Sequence, residues 1–338
     1  MRAHSFANRE VAAYYLKELH NRAHTDRKMR VVFLVQDSVI WDKQQPVYDV
    51  FAADETVETV IVLVPTYKAT DSAVQNSVGR YDAHYWHFFH EHYPNVYDFT
   101  NTFDLSVFAP DYIFMASPYE GLRPLVGTRA RDLARIAKLC YVAYGTQGLK
   151  FFIYSETMMP EFFSHLSFYF CDSEEEKSAM EAAYPLTVNA GVQHFVDIGY
   201  PGFEPYLNTP HEERVMRKVL WMPRWNTEER IGGSHFFAFK DAFLAFAEKY
   251  SRAGIQFVIR PHPLMFDNFV QKGQMTEQEV RDYKAQLEMC GVTLDEGLFA
   301  AEEALRAADI LLTDFSSLNM PFFLLERPMI YCPNDSEP

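Results

Sequence analysis

A chain of 338 residues is too long for one ordinary domain, and its 48% apolar content fills two cores and excludes a disordered polymer. A net charge of −15 excludes a general nucleic-acid binder, which needs a basic surface to displace counterions, and requires any site for an anionic substrate to be locally basic. No apolar run approaches the roughly 18 residues of a membrane span, no signal peptide is visible, and Cys140, Cys171, Cys290 and Cys332 lack C-x-x-C spacing, so a cytoplasmic protein with reduced, mostly buried thiols is expected.

The first thirty residues hold seven Lys or Arg against three acids, with helix-like apolar positions at Val11, Tyr14, Tyr15 and Leu19. Two readings are open. Residues 1–28 form a basic amphipathic helix that touches the inner face of a membrane, or a first helix that packs beside the first strand. Beyond them, β-branched and aromatic runs predict strands at 30–36, 57–64, 95–99, 111–116, 139–143, 166–171 and 195–198. Helical patterns intervene at 41–53, 82–93, 130–138 and 174–183, the last capped by Asp172 and Ser173 with acids in its first turn.

The cluster Gly199-Tyr200-Pro201-Gly202 marks a boundary, which gives domains 1–198 and 199–338. Alternation then restarts, with strands at 217–222, 255–259, 310–313 and 328–332 and helices at 236–250, 276–290, 302–308 and 317–326. Such a rhythm means βα units and parallel sheets. Two Rossmann-like halves facing a cleft is the GT-B architecture of nucleotide-sugar transferases, an α/β fold. The chain stops at Pro338, just past a strand, where such folds finish with a helix crossing back to the first domain; a trimmed chain, a natural fragment and a minimal version are all open.

Two strand ends carry the chemistry. Arg260-Pro261-His262-Pro263 follows an apolar run, and its prolines stiffen the loop that holds the imidazole. His262 can donate to a phosphate oxygen or, as imidazolium, stabilise a leaving group, and Arg260 can add a bidentate contact. Thr313-Asp314-Phe315-Ser316-Ser317 follows a second run and precedes a helix start, where free amides and the Ser316 and Ser317 hydroxyls form an anion cradle. Simple N-capping by either serine is the competing reading. Asp314 would repel a phosphate, so it orients the loop through backbone amides or bonds a ribose hydroxyl.

His84, His87, His90 and His92 crowd one predicted helix, and the first three share a face. A metal site needs carboxylate or cysteine partners at suitable spacing, which are missing, so packing among Tyr85, Trp86, Phe88 and Phe89 is expected and no metal is assigned. His235, near Gly232 and Gly233, sits in a loop expected to be flexible. Glu120, at a strand end, can take a proton from an acceptor. Neither G-x-x-x-x-G-K-[ST] nor a strand-turn-helix G-x-G-x-x-G occurs, which disfavours ATP hydrolysis and NAD binding. No Asp-x-Asp pattern occurs either, so no cofactor is expected and charge neutralisation falls to the basic loop and the helix start.

The segments "VIRPHP" at 258–263, "ADILLTDFSSLNMPFFLLERPMIYC" at 308–332, "VLWMPRW" at 219–225 and "VDIGYP" at 196–201 together resemble the CDP-glycerol glycerophosphotransferase family, which includes teichoic-acid and capsule enzymes. "APDYIFMASPYE" and "LCYVAYG" in the first half resemble it too, and the resemblance spans roughly 105–332. It implies a GT-B fold and transfer of a polyol phosphate from a CDP-activated donor to a surface glycan or lipid-linked acceptor, with release of CMP. It also implies that His262 contacts the diphosphate, that Ser316 and Ser317 hold pyrophosphate oxygens, that Thr313 and Asp314 shape their loop, and that Arg224 sits in a short loop facing the cleft. Teichoic-acid polymerases carry a Trp-His-Gly-Thr segment whose His is the expected base; here it reads Ala143-Tyr144-Gly145-Thr146. Tyr144 at an ordinary pKa of about 10 is a poor base, so it needs a depressed pKa, or another group serves, or the substrates differ. Gly145 and Thr146 can approach a ligand closely, and Lys150 can meet an acceptor phosphate. A GT-B glycosyltransferase with a nucleotide-sugar donor and a non-catalytic nucleotide-binding subunit are the alternative functions.

Overall fold

Apolar runs buried on both faces need cover on both faces, which is the signature of parallel sheets flanked by helices. The computed structural model describes residues 2–22, 26–36, 38–65, 83–99, 104–123, 125–146, 159–209, 215, 217–228, 233–297, 301–314, 316 and 318–332. The chain forms two compact units, Met1–Gly202 and Phe203–Pro338, divided at the end of the Gly/Pro cluster.

Unit 1 is built on a parallel sheet of β1 (Met29–Val35), β2 (Val57–Leu63), β3 (Val96–Asp98), β4 (Tyr112–Met115), β5 (Lys138–Val142), β6 (Phe168–Cys171) and β7 (His194–Asp197). Their order is β3-β2-β1-β4-β5-β6-β7, so the direction of travel reverses at β1. Alternation along β1 sends Val32 and Leu34 into one core and Val31, Phe33 and Val35 into the other. Asp111, just before β4, accepts the backbone N–H of Arg30 at 2.7 Å and an ion pair from Arg27 at 2.9 Å, which registers β4 against β1.

Helix α1 (Arg2–His20) decides between the two readings of the N-terminal segment. Ala12, Leu16 and Leu19 are buried, and the helix packs on the helical turns Pro160–Ser164 and Pro185–Asn189. Arg9 lies over the Tyr184 ring and donates to the Ala183 carbonyl. The apolar stripe is therefore used inside unit 1, with only Val11 and Tyr14 of the expected positions exposed. Among the described residues no helix is long and apolar enough to cross a membrane.

The expected 41–53 helix splits into a 3-10 turn at Ser38–Lys43 and α2 (Gln45–Ala52), because Pro46 suits the first turn of a new helix and not the interior of an old one. The expected 130–138 helix stops as α3 (Ala130–Leu133), since Lys138 must already pair with Tyr112 in the sheet. In the helix Ala83–His92, the His90 ring lies 4.0 Å from Trp86 and that of His92 4.9 Å from Phe88, so these two pack among aromatics; the side chain of His84 lies outside the described residues. All four cysteines are free, and three are buried.

Unit 2 has the parallel order β10-β9-β8-β11-β12, from β8 (Lys218–Met222), β9 (Gln256–Ile259), β10 (Val292–Leu294), β11 (Ile310–Thr313) and β12 (Met329–Tyr331). Reversal falls between β8 and β11. Trp221, Phe257 and Ile259 face one core, and Leu220, Met222, Val258 and Leu311 the other. Asp309, just before β11, accepts the N–H groups of Arg217 at 2.9 Å and Lys218 at 2.8 Å, doing for β8 what Asp111 does for β1. Helix α4 (Phe236–Tyr250) covers the first core. Sequence patterns miss α5 (Met265–Gln271) and the three-residue β10, which is too short for a periodic signal. The helix expected at 317–326 shrinks to α6 (Asn319–Phe323), with Glu326 at a positive φ of 52° just beyond it.

Phe236 is fully buried and stacks on Trp221, with ring centroids 5.7 Å apart. Phe236→Ala is expected to destabilise unit 2 by about 3–5 kcal/mol, read by denaturant unfolding followed through tryptophan fluorescence; a loss under about 1 kcal/mol would refute this account of the core.

Candidate functional site

The carboxyl ends of β8, β9, β11 and β12 gather the unit-2 candidates on one edge, on both sides of the strand-order reversal. Asp314 ties this edge together. Its carboxylate, 1% exposed, accepts the backbone N–H of Arg224 at 3.0 and 3.1 Å and that of His235 at 3.3 Å. Burial pushes its pKa up, and the N–H donors pull it back. Of the two roles open for Asp314, the loop-orienting one is observed. Thr313 is equally buried, with its hydroxyl 2.6 Å from the Asn319 side-chain oxygen, while the Asn319 amide donates to the Asp314 carbonyl at 3.0 Å. Both residues shape the loop from within.

Ser316 Oγ accepts the N–H of Leu318 at 3.2 Å, as a capping serine does, and its hydroxyl proton stays available as a donor. Ser317 lies outside the described residues. Helix α6 is five residues long, and of the two serines before it the described one, Ser316, offers its hydroxyl.

His262 accepts the N–H of Leu264 on Nδ1 at 3.1 Å, so its proton sits on Nε2. Its ring lies 5.7 Å from that of Trp225, whose carbonyl is held by Asn268 at 2.8 Å. The ring keeps an exposed face, yet burial first and the Arg224 guanidinium second push its pKa down to about 4. Solvent at the open face stabilises part of an imidazolium, so the direction is what the chemistry uses: of the two forms open for His262, it favours the neutral Nε2–H donor near pH 7. Burial lowers the Arg224 pKa, with Asp314 and Tyr331 opposing.

Arg260 departs from expectation. It is 7% exposed and gives its guanidinium to Asp295 Oδ2 at 2.6 Å and to the Gly297 carbonyl at 2.7 Å. It braces the His262 loop instead of reaching a ligand. His235 is likewise buried, beside Tyr331, and is not part of an open loop. Asp295, Asn319, Asn268 and Tyr331 escape the sequence reading; Asp295 follows a strand too short to be recognised.

In unit 1, Tyr144 and Glu120 both sit beyond strand ends. The Tyr144 hydroxyl lies 3.2 Å from that of Tyr119, and its carbonyl accepts from Tyr200 at 2.9 Å. Burial, then Tyr119, raise its pKa, the opposite of what a base requires. Glu120 Oε1 accepts from Arg123 Nη2 at 3.4 Å and from the Ala130 N–H, so it is a structural acceptor. A Cβ added at Gly145 meets nothing within 4 Å; Thr146 is half-buried beside it, and Lys150 lies outside the described residues.

The chain is similar to solved structures of UDP-GlcNAc 2-epimerases. That from Neisseria meningitidis bound to UDP-GlcNAc shares 13% identity over 89% of this chain and 81% of its own, with a TM-score of 0.54. The S. aureus MnaA–UDP complex gives 13%, 89%, 78% and 0.51, and the Methanocaldococcus jannaschii enzyme 12%, 90%, 83% and 0.51. Two parallel, reversing α/β sheets with this likeness define a chain of the GT-B fold class. No curated protein matches it. The family model for CDP-glycerol:poly(glycerophosphate) glycerophosphotransferase matches residues 154–338, more than half of the chain, and the chain belongs to that family. It is a transferase, of the polyol-phosphate kind.

The His262 assignment has a pH signature. As pH falls from 6.5 to about 4, the unfolded chain takes a proton that the folded ring refuses, so this group withdraws stability on acidification and withdraws nothing above 6.5. Nitrogen-detected NMR is expected to show a neutral Nε2–H tautomer at pH 6; an imidazolium there would overturn the assignment.

Proposed function

We propose that the chain moves a polyol phosphate from a CDP-activated donor held on unit 2 to a surface-glycan or lipid-linked acceptor handled by unit 1. The observation that carries this is the gathering of Arg224, His262 and Ser316 at the ends of β8, β9 and β11, braced by Asp314 and by the Arg260–Asp295 pair. An acceptor hydroxyl attacks the β-phosphorus. The new P–O bond forms as the bridging P–O bond to the α-phosphate breaks, CMP leaves with that bridging oxygen, and the hydroxyl proton passes to solvent. Arg224 supplies charge, and neutral His262 and Ser316 supply hydrogen bonds to the diphosphate, so rate comes from positioning and charge stabilisation. Arg260 acts as a positioning residue. Tyr144 takes part as a neutral phenol. Teichoic-acid-like or capsule polymer is the product class the family supports, and a lipid-linked acceptor would bring the chain to a membrane surface.

Calorimetric titration with CMP, CDP, CDP-glycerol, CDP-ribitol, UDP and UDP-glucose tests the donor. Selective cytidine binding, with turnover reduced about 100- to 1,000-fold in a folded His262→Ala variant, is expected. Near-normal turnover in that variant removes His262 from the mechanism. Uridine selectivity replaces the reading with a nucleotide-sugar glycosyltransferase, and nucleotide binding without donor consumption replaces it with a non-catalytic nucleotide-binding subunit.

A further inference from the structure

Unit 1 holds a buried polar constellation that the transfer scheme does not use. At the carboxyl ends of β1 and β4, where its strand order reverses, a narrow cavity is lined by Gln36, Gln44, Ser117 and Arg123 over apolar Leu34 and Met115. Its free space is about 10 Å³, enough for one water-sized atom. Arg123 is 7% exposed. Its Nη1 donates to Gln36 Oε1 at 3.1 Å and to the Ser117 carbonyl at 3.2 Å, and its Nη2 to Glu120 at 3.4 Å. Its Nε–H finds no partner, and neither does the side-chain amide nitrogen of Gln44, which is 2% exposed and makes no capping bond to the helix it precedes.

An unmet buried donor costs roughly 1–3 kcal/mol, and buried polar groups are nearly always satisfied. Two residues that each carry one line the same small cavity, at the place where open α/β sheets bind ligands, and this points to an acceptor atom there. The remaining chemistry selects its kind. Arg123 Nε–H, the Gln44 amide and the Ser117 hydroxyl are donors, the Gln36 oxygen is already taken by Arg123, and Glu120 meets Arg123 on another nitrogen. Beside a guanidinium, an anionic oxygen gains more than a neutral one.

We propose that this cavity is an oxyanion subsite of unit 1 that receives one oxygen of a phosphate group on the acceptor. The proposal rests on the reading of unit 1 as the acceptor side. Only one vertex of a tetrahedral phosphate fits, so the rest of the group stays at the mouth, and the subsite reads the charge and leaves the attached polyol free.

The test is titration of the full-length protein with sn-glycerol 3-phosphate, with CDP saturating the donor site, followed by calorimetry. Wild type is expected to bind saturably, Arg123→Lys and Gln44→Leu each to bind about tenfold more weakly, and CDP affinity to stay unchanged in both variants. Gln44→Leu decides the matter if the Arg123 variant fails to fold, since the Gln44 amide holds nothing else in place. Absence of glycerol phosphate binding while CDP binds overturns the subsite and leaves the donor reading intact, as does binding that is equal in wild type and Gln44→Leu. Gln44-dependent glycerol phosphate binding without any CDP binding supports the subsite and overturns the donor reading.

Discussion

Every strand within each sheet runs the same way, and that constraint decides where chemistry can sit. Strand ends of one polarity collect on one edge, and the reversal of order at β1 and at β8 parts the connections on either side and leaves room between them. Short segments far apart in sequence, such as 223–226, 260–264 and 313–314, become neighbours for this reason. The same reversal in unit 1 brings Gln36 at the end of β1 to within 3.1 Å of Arg123 beyond β4.

Carboxylates then hold these edges in register. Asp111 and Asp309 clamp the starts of β1 and β8, and Asp314 clamps the loop beyond β8. Asp309 and Asp314 are buried and are tolerated there because backbone N–H groups bond to them, and each bond removes a degree of freedom from the loop it holds. Arg260 and Asp295 form a comparable brace beneath His262. The donor edge proposed on unit 2, with one half-buried arginine, one neutral histidine and one serine, is modest in charge, which suits a chain that is acidic as a whole and needs positive potential only locally.

Unit 1 differs in character. Its carboxyl edge presents paired phenols at Tyr119 and Tyr144 and a carboxylate, Glu120, already engaged by Arg123 and Ala130. Burial raises the Tyr144 phenol pKa, so the group this edge offers there is a neutral hydroxyl.

Alternation of apolar runs and turn residues determined the α/β class, the parallel sheets and most strands, since burial on both faces is written into consecutive apolar residues. The motifs around His262 and Asp314 were legible because each is local and follows such a run. Side-chain partnership is not local. Whether Arg260 reaches outward or is held by Asp295 depends on β10, a three-residue strand with no periodic signal. Whether Tyr144 or Glu120 can act as a base depends on burial and on neighbours 25 and 10 residues away. The length of α6 and the packing of α1 were likewise settled by tertiary contacts, because a helix of marginal propensity ends where its packing ends.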